Sequence, residues 1–237
     1  MGLVLLDNEN PEVFPDPKQA DESGLLAVSI GLGTERILAA YQQGIFPWMK
    51  LDRPPHLWCW YTPDPRMLLY PKDFKVSRSL SQAIRKKTFE IKINHSFAKV
   101  MHACASIPRK NEPSSWIEPD MEVDYGKLHQ QGYAHSIEAY QDGHLVGGLY
   151  GLAMGHAFFG ESMFHRVPEA SKACMFKLVE IAQSFGLHFI DCQVPNPFLR
   201  SLGAREVGRS EFLSQLDLAC GKRESVVDWA ALAQNGS

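Results

Sequence analysis

Apolar and polar positions alternate from Gly132 to Phe164, GYAHSIEAYQDGHLVGGLYGLAMGHAFFGESMF, and the alternation breaks twice at short glycine-containing segments. The pattern predicts a three-stranded meander over residues 135–140, 145–154 and 157–164, with turns at Gln141-Asp142-Gly143-His144 and Gly155-His156. Strict alternation in the third strand puts Phe159, Glu161 and Met163 on one face. An ionised carboxylate between two large apolar side chains loses its hydration unless it is paired. Glu161 is therefore expected to be either solvated or functional.

Before the meander the pattern is mixed. Residues up to Gly24 carry prolines and acids with little period and read as a loosely held arm with a short edge strand at residues 3–6. A helical apolar stripe of Ile37, Leu38, Ala40 and Tyr41 follows Thr34, the expected N-cap, and stops at Gly44. Phe46-Pro47-Trp48-Met49 is expected to be a non-helical turn, because a proline disfavours helix at the residue before it. Its aromatic rings, with Trp58, Trp60 and Tyr61, make either a small core or a platform for stacking a nucleobase. Residues 67–70 and 89–94 read as strands, 77–87 and 96–106 as helices, and 108–115 as a loop ending at Trp116. Residues 120–131 form a predicted helix ended by Gly132, with Tyr125 and Leu128 on one face.

After the meander, Pro168 and Glu169 introduce a helix over residues 170–185 that Gly186 closes. Residues 188–194 read as a strand in which Asp191 and Gln193 share a face, roughly 7 Å apart. The pattern as a whole is α+β: a small N-terminal domain, residues 1–66, and a larger domain, residues 67–237, with a mixed and mostly antiparallel sheet.

Charge narrows the classes. Lys and Arg total 24 against 27 Asp and Glu, for a net charge of -3, so nucleic acid is not coated wholesale and any contact with it is local. The densest positive cluster is Arg78, Arg85, Lys86 and Lys87, a candidate for phosphate contact although such a cluster is commonly just a solvated helix face. Five widely spaced cysteines without a C-x-x-C pair read as reduced thiols of a cytoplasmic protein. No signal-peptide core and no membrane-length apolar run is present.

The chain carries no G-x-S-x-G elbow, Walker loop, H-E-x-x-H or dinucleotide-type glycine fingerprint, and its nine histidines form no metal-ligand set. His135 is read as structural. What remains is Glu161, Asp191 and Gln193, which converge if their strands are neighbours. Asp191 is positioned to hydrogen-bond the Gln193 amide and polarise its oxygen toward a substrate amine, though two polar strand residues also make an ordinary buried pair.

Taken together, Gly44-Ile45-Phe46-Pro47-Trp48, Trp60-Tyr61-Thr62-Pro63-Asp64-Pro65-Arg66, Ala134-His135-Ser136-Ile137-Glu138, Leu145-Val146-Gly147-Gly148-Leu149-Tyr150-Gly151, Phe159-Gly160-Glu161-Ser162-Met163-Phe164, Ala170-Ser171-Lys172, Asp191-Cys192-Gln193 and Ser201-Leu202-Gly203-Ala204 resemble the bacterial leucyl/phenylalanyl-tRNA–protein transferases. The ordered match runs from about Gly31 to Leu213. The resemblance implies an acetyltransferase-like larger domain. It also implies transfer of leucine or phenylalanine from charged tRNA to the N-terminal Arg or Lys of a protein, which marks that protein for degradation. No cofactor or metal is implied, and a monomer is the default.

Under the resemblance, Gln193 with Asp191 handles the incoming amine and Glu161 holds the donor's α-ammonium. The donor side-chain pocket maps onto Leu149, Phe158, Met163, Leu178 and Ile190. Trp48 and Trp116 become stacking candidates for the terminal adenosine, with Tyr41 and Tyr125 beside them. Strict alternation turns Phe158 and Ile190 away from Glu161 and Gln193, so a bulge at Gly160 is needed to restore Phe158. Phe198 stands where family members commonly carry histidine, and Leu178 where an aromatic ring can sit. Two other readings compete: an acyl-CoA-dependent N-acyltransferase, which wants a glycine-rich pyrophosphate loop that the chain lacks before Ala170, and a non-catalytic binder of RNA ends, which leaves Glu161, Asp191 and Gln193 without work.

Overall fold

The structure is a computed structural model and describes residues 3–51, 54–107 and 117–235. In chain order its elements are β1 (Val4–Leu5), β2 (Leu25–Ser29), α1 (Thr34–Gln42), β3 (Phe46–Lys50), β4 (Trp58–Tyr61), β5 (Arg66–Leu69), α2 (Arg78–Arg85), β6 (Glu90–Ile93), α3 (Phe97–Ser106) and α4 (Pro119–Gln130). There follow β7 (Ala134–Gln141), β8 (His144–Met154), β9 (Ala157–His165), α5 (Ala170–Phe185), β10 (Phe189–Gln193), α6 (Pro197–Ser201), β11 (Arg205–Val207), α7 (Arg209–Ala219) and α8 (Trp229–Asn235).

Among the described residues the strands form a four-stranded sheet in the order β1-β2-β4-β3 and a seven-stranded sheet in the order β11-β5-β10-β9-β8-β7-β6. The chain passes from one sheet to the other between Tyr61 and Arg66. The larger sheet is antiparallel apart from β9 and β10, which run parallel. A parallel pair cannot be joined by a hairpin, and α5 is the crossover that joins this one. The fold is α+β with a mostly antiparallel larger sheet, as the pattern predicted, and the meander is β7-β8-β9.

The helix α5 shows how directly the sequence acts. Ala170, Cys174, Leu178 and Ala182 recur every fourth residue and all are fully buried, so one stripe packs on β7 and β8. Burying the Leu178 side chain alone contributes about 2 kcal/mol. Gly186, at φ +67°, ends the helix in the left-handed conformation expected of its C-terminal glycine. The opposite face of the larger sheet shares a second core with α1, α3, α4, α7 and the smaller sheet, and that core includes Tyr41, Trp60, Phe159 and Phe212.

Three local expectations fail. Phe46-Pro47-Trp48-Met49 is part of strand β3, not a turn; β3 is the edge of its sheet, where a proline needs no ladder partner for its missing N–H. Thr34 begins α1, while its cap position is Gly33, whose N–H donates to Asp124 Oδ2 at 3.0 Å. The N-terminal arm is clipped down: Arg36, itself buried, donates to the Asp7 carbonyl and to Asn8 Oδ1, Phe14 meets the edge of Trp60, and Arg223 pairs with Glu12. The predicted loop at 108–115 and Trp116 lie outside the described residues.

Candidate active site

β9 and β10 pair in register from Ala157 with Phe189 to Phe159 with Asp191, and there the ladder between them ends although both strands continue. Each strand is irregular at that level. On β9, Tyr150 faces Ser162 while Gly151 faces Gly160, so Glu161 is the extra residue of a bulge. On β10 the register to β5 slips between Asp191 and Gln193. Gly151 makes the first bulge possible, because a Cβ there would lie 2.1 Å from the Phe159 carbonyl oxygen.

The bulge overturns strict alternation. Phe159 lies in the core beside Tyr41, whereas Met163 packs in the core beside α5, so the two do not share a face. Phe158 and Ile190 lie on the α5 side with Met163. The offset sits at Glu161 itself, one residue beyond the expected Gly160. A cavity of about 360 Å³ opens on that side, lined by Leu149, Phe158, Met163, Leu178 and Ile190 together with Glu161 and Gln193. Met175, Cys192 and Phe198 also line it, and the sequence reading had placed none of them there.

Glu161 is only 7% exposed, and it is not solvated. Its Oε1 accepts from the Tyr41 hydroxyl at 2.5 Å and from Gln193 Nε2 at 3.0 Å, and its Oε2 accepts from the Tyr125 hydroxyl at 3.2 Å. The two phenols are 3.0 Å apart. The Glu161 carboxyl is raised to about 7: burial is the largest cause and the neighbouring Asp191 charge adds to it, while the Tyr41, Tyr125 and Gln193 donors offset only part of the rise. Burial and the same carboxylate push both phenols well above the usual tyrosine range. A carboxylate offers about four acceptor positions, so these three donors leave room for one more.

Gln193 is held differently from the expectation. Asp191 does not touch its side-chain amide: Asp191 Oδ1 accepts the Gln193 backbone N–H at 2.9 Å, and the amide nitrogen goes to Glu161. With that nitrogen committed, the amide oxygen is the group left to accept from a ligand. Gln193 has φ +62°, a conformation that costs a residue with a side chain about 1–3 kcal/mol. Asp191 is fully buried and ion-paired to Arg66, with Arg66 Nη2 2.6 Å from Oδ2. Arg66 was missed as a member of this cluster. The one available signal was a charged residue heading the otherwise apolar run Arg66-Met67-Leu68-Leu69.

Tyr41 and Tyr125 are fully buried behind Glu161 and do not line the cavity. Trp48 is half-buried, edge-on to Tyr61 at 5.1 Å, and also outside the cavity lining. The other early aromatics, Phe46, Trp58 and Trp60, are core. Arg78 and Arg85 on α2, with Lys86 and Lys87 just after it, are all exposed, on a helix that packs against α5. Among the described residues no group of three or more His, Cys, Asp or Glu is placed to hold a metal ion. His135 is structural as expected: burial lowers it to about 3, and its ring nitrogens meet Asn94 Nδ2 and the Gly132 carbonyl.

Residues 68–217 match the family model described as leucyl/phenylalanyl-tRNA protein transferase, and residues 32–64 match the model of that enzyme's N-terminal domain. The leucyl/phenylalanyl-tRNA–protein transferase of Nitrosospira multiformis is 50% identical over 194 residues, 82% of each chain. That of Shewanella halifaxensis is 46% identical over 225 residues, 94% of each chain. Among solved structures, FemX is similar at a TM-score of 0.46 and 11% identity over 81% of this chain and 74% of its own. A GCN5-related N-acetyltransferase from Kribbella flavida is similar at 0.36 and 10% identity, covering 70% and 58%.

Proposed function

The chain belongs to the leucyl/phenylalanyl-tRNA–protein transferases, and from that premise we propose that the splayed ends of β9 and β10 are where its aminoacyl transfer takes place. The enzyme moves leucine or phenylalanine from its tRNA to a protein amino group. The observation that carries the site is an apolar cavity whose polar corner is the Glu161–Gln193 pair. Its apolar lining takes the donor side chain, where choice by size is worth about 1–3 kcal/mol per methylene.

In this reading Glu161 pairs with the α-ammonium of the donor residue through its spare acceptor position. The acceptor's α-amine, the N-terminal group of a protein beginning with Arg or Lys, attacks the ester carbon while the Gln193 amide oxygen accepts one of its N–H groups. A C–N bond forms and the C–O bond to the ribose breaks. The amine gives up a proton and the ribose oxygen gains one, and because an amide is not a base this proton travels through water or a tRNA hydroxyl. Asp191 works through the backbone of Gln193. The exposed Arg78, Arg85, Lys86 and Lys87 meet tRNA phosphates, and Trp48 and Trp116 bracket the terminal adenosine.

Two coarser placements accompany this. Residues 1–66 are taken as the small N-terminal domain and 67–237 as the catalytic domain; the sheet change between Tyr61 and Arg66 supports a boundary there, with Arg66 already the first residue of β5 in the larger sheet. The protein acts as a cytoplasmic monomer; no described helix is long and apolar enough to cross a membrane.

The test is transfer of labelled leucine from charged tRNA to peptides beginning with Arg or with Ala. Wild type is expected to label only the Arg peptide, and Gln193→Ala to do so at least about 100-fold more slowly. A folded wild type that instead acylates from acetyl-CoA, or binds tRNA without transfer, removes the reading.

A further inference from the structure

Arg66 is fully buried at the head of β5 and does not line the cavity. Its Nε donates to both Asp191 oxygens at 2.9 and 3.1 Å, its Nη2 to Oδ2 at 2.6 Å, and its Nη1 to the Gly44 carbonyl at 3.1 Å. The rings of Phe46 and Phe212 lie 4.8 and 4.5 Å from the guanidinium carbon. Gly44 has to be a glycine here: it sits at φ +74°, and a Cβ would come within 2.8 Å of Phe212. A guanidinium bonded in its plane and flanked by two rings has no freedom to turn, and the carboxylate it grips has little.

What that carboxylate does next is specific. Asp191 Oδ1, already bonded to Arg66, accepts the backbone N–H of Gln193, the residue that closes the irregular end of β10 in a left-handed conformation. That conformation directs the Gln193 amide to Glu161. A buried ion pair is by itself poor grounds for stability, since well-packed apolar residues often serve as well. Its position one hydrogen bond behind Gln193 is what gives it another purpose.

We propose that Arg66 and Asp191 are positioning residues for aminoacyl transfer: together they hold the Gln193 backbone, and so the aim of its amide, without touching either substrate. This rests on the assignment of Gln193 above. Arginine is required because the fork reaches both Asp191 oxygens and Gly44 at once, which a lysine ammonium cannot do. The pair also ties the small sheet, through Gly44 and Phe46, to the site in the large one.

The test combines Arg66→Met with Asp191→Leu, which leaves no unpaired buried charge, and sets this double variant against Gln193→Ala in a cycle. The double variant is expected to melt near wild type, to lose about 100-fold in kcat and to keep the donor KM within about threefold. Adding Gln193→Ala to it is expected to cost nothing more, because a misaimed amide has already stopped working. Near-normal kcat in the folded double variant, or a full additional loss on removing Gln193, overturns the proposal. If the double variant does not fold, Arg66→Lys takes its place in the same cycle, with a loss of about tenfold expected. Amide hydrogen exchange supplies a reading independent of activity: the Gln193 N–H is expected to lose protection in these variants while Phe189 and Ile190 keep theirs, and unchanged protection at Gln193 also overturns it. Absence of transfer by wild type counts against the proposed function and leaves this exchange result to decide the positioning.

Discussion

Asp191 and Glu161 lie on adjacent strands at the same splayed end of the sheet, and the fold treats these two buried carboxyls in opposite ways. Asp191 is given a guanidinium in a dry setting of Phe46 and Phe212. Glu161 is given only neutral donors, two phenols and an amide, at the edge of a cavity. The first arrangement spends the charge inside the protein and leaves a rigid anchor. The second leaves burial uncompensated, so the carboxyl rises to about 7 and keeps a place for a cation from outside. What separates a structural carboxylate from one available to a substrate is whether the protein itself supplies the counter-charge.

The largest effects should come from breaking that difference. Arg66→Met alone strands a buried charge at Asp191 and is expected to lower unfolding stability by about 3–5 kcal/mol, read from urea or thermal denaturation. Glu161→Gln should do the reverse. A carboxyl raised in the folded state opposes folding increasingly as pH climbs from its unfolded value of 4.5 to about 7, with no penalty below 4.5 and the full penalty above about 7. The glutamine variant is thus expected to gain on wild type across that window, by up to about 3 kcal/mol at alkaline pH, while losing donor binding. Equal stability differences at acid and alkaline pH would show that Glu161 is not raised.

Activity sharpens the comparison at smaller scale. Transfer by wild type is expected to fall as pH drops through about 7, because a protonated Glu161 cannot pair with an ammonium. The acceptor amine also titrates near neutrality, so the donor KM, not kcat, is the quantity to follow. Tyr41→Phe removes the shorter of the two phenol bonds and should move that limb to higher pH by up to about one unit. Tyr125→Phe, with its bond at 3.2 Å, should move it less. Smallest is Leu178→Phe, which fills part of the cavity and is expected to shift the leucine-to-phenylalanine donor ratio toward leucine by about twofold to threefold. An unchanged ratio would mean that the donor side chain binds elsewhere.

Particular residues show how far the sequence could be read. The stripe Ala170, Cys174, Leu178 and Ala182, followed by Gly186, specifies a helix because every signal is within a few turns. The meander was equally plain from alternation and its glycine turns. Strand β3 was hidden because Pro47 is judged by its local effect, and only the sheet order shows that it stands at an edge. Glu161, Asp191 and Gln193 were legible as candidates. Their partners were not: Tyr41 is 120 residues from Glu161, and Arg66 is 125 from Asp191.

Composition, periodicity and the ordered motifs therefore determined the α+β class, the position of α5 and the meander, the family, and the three polar residues to watch. Tertiary structure alone decided that Glu161 is a bulge residue, that Asp191 grips a backbone N–H in place of an amide side chain, and that Trp48 stands outside the cavity lining while Phe198 lines it. The reason is one of range. Turn chemistry and side-chain periodicity act between near neighbours in the chain, whereas a bulge is set by the pairing of two strands and a buried charge by whichever distant residue the fold brings against it.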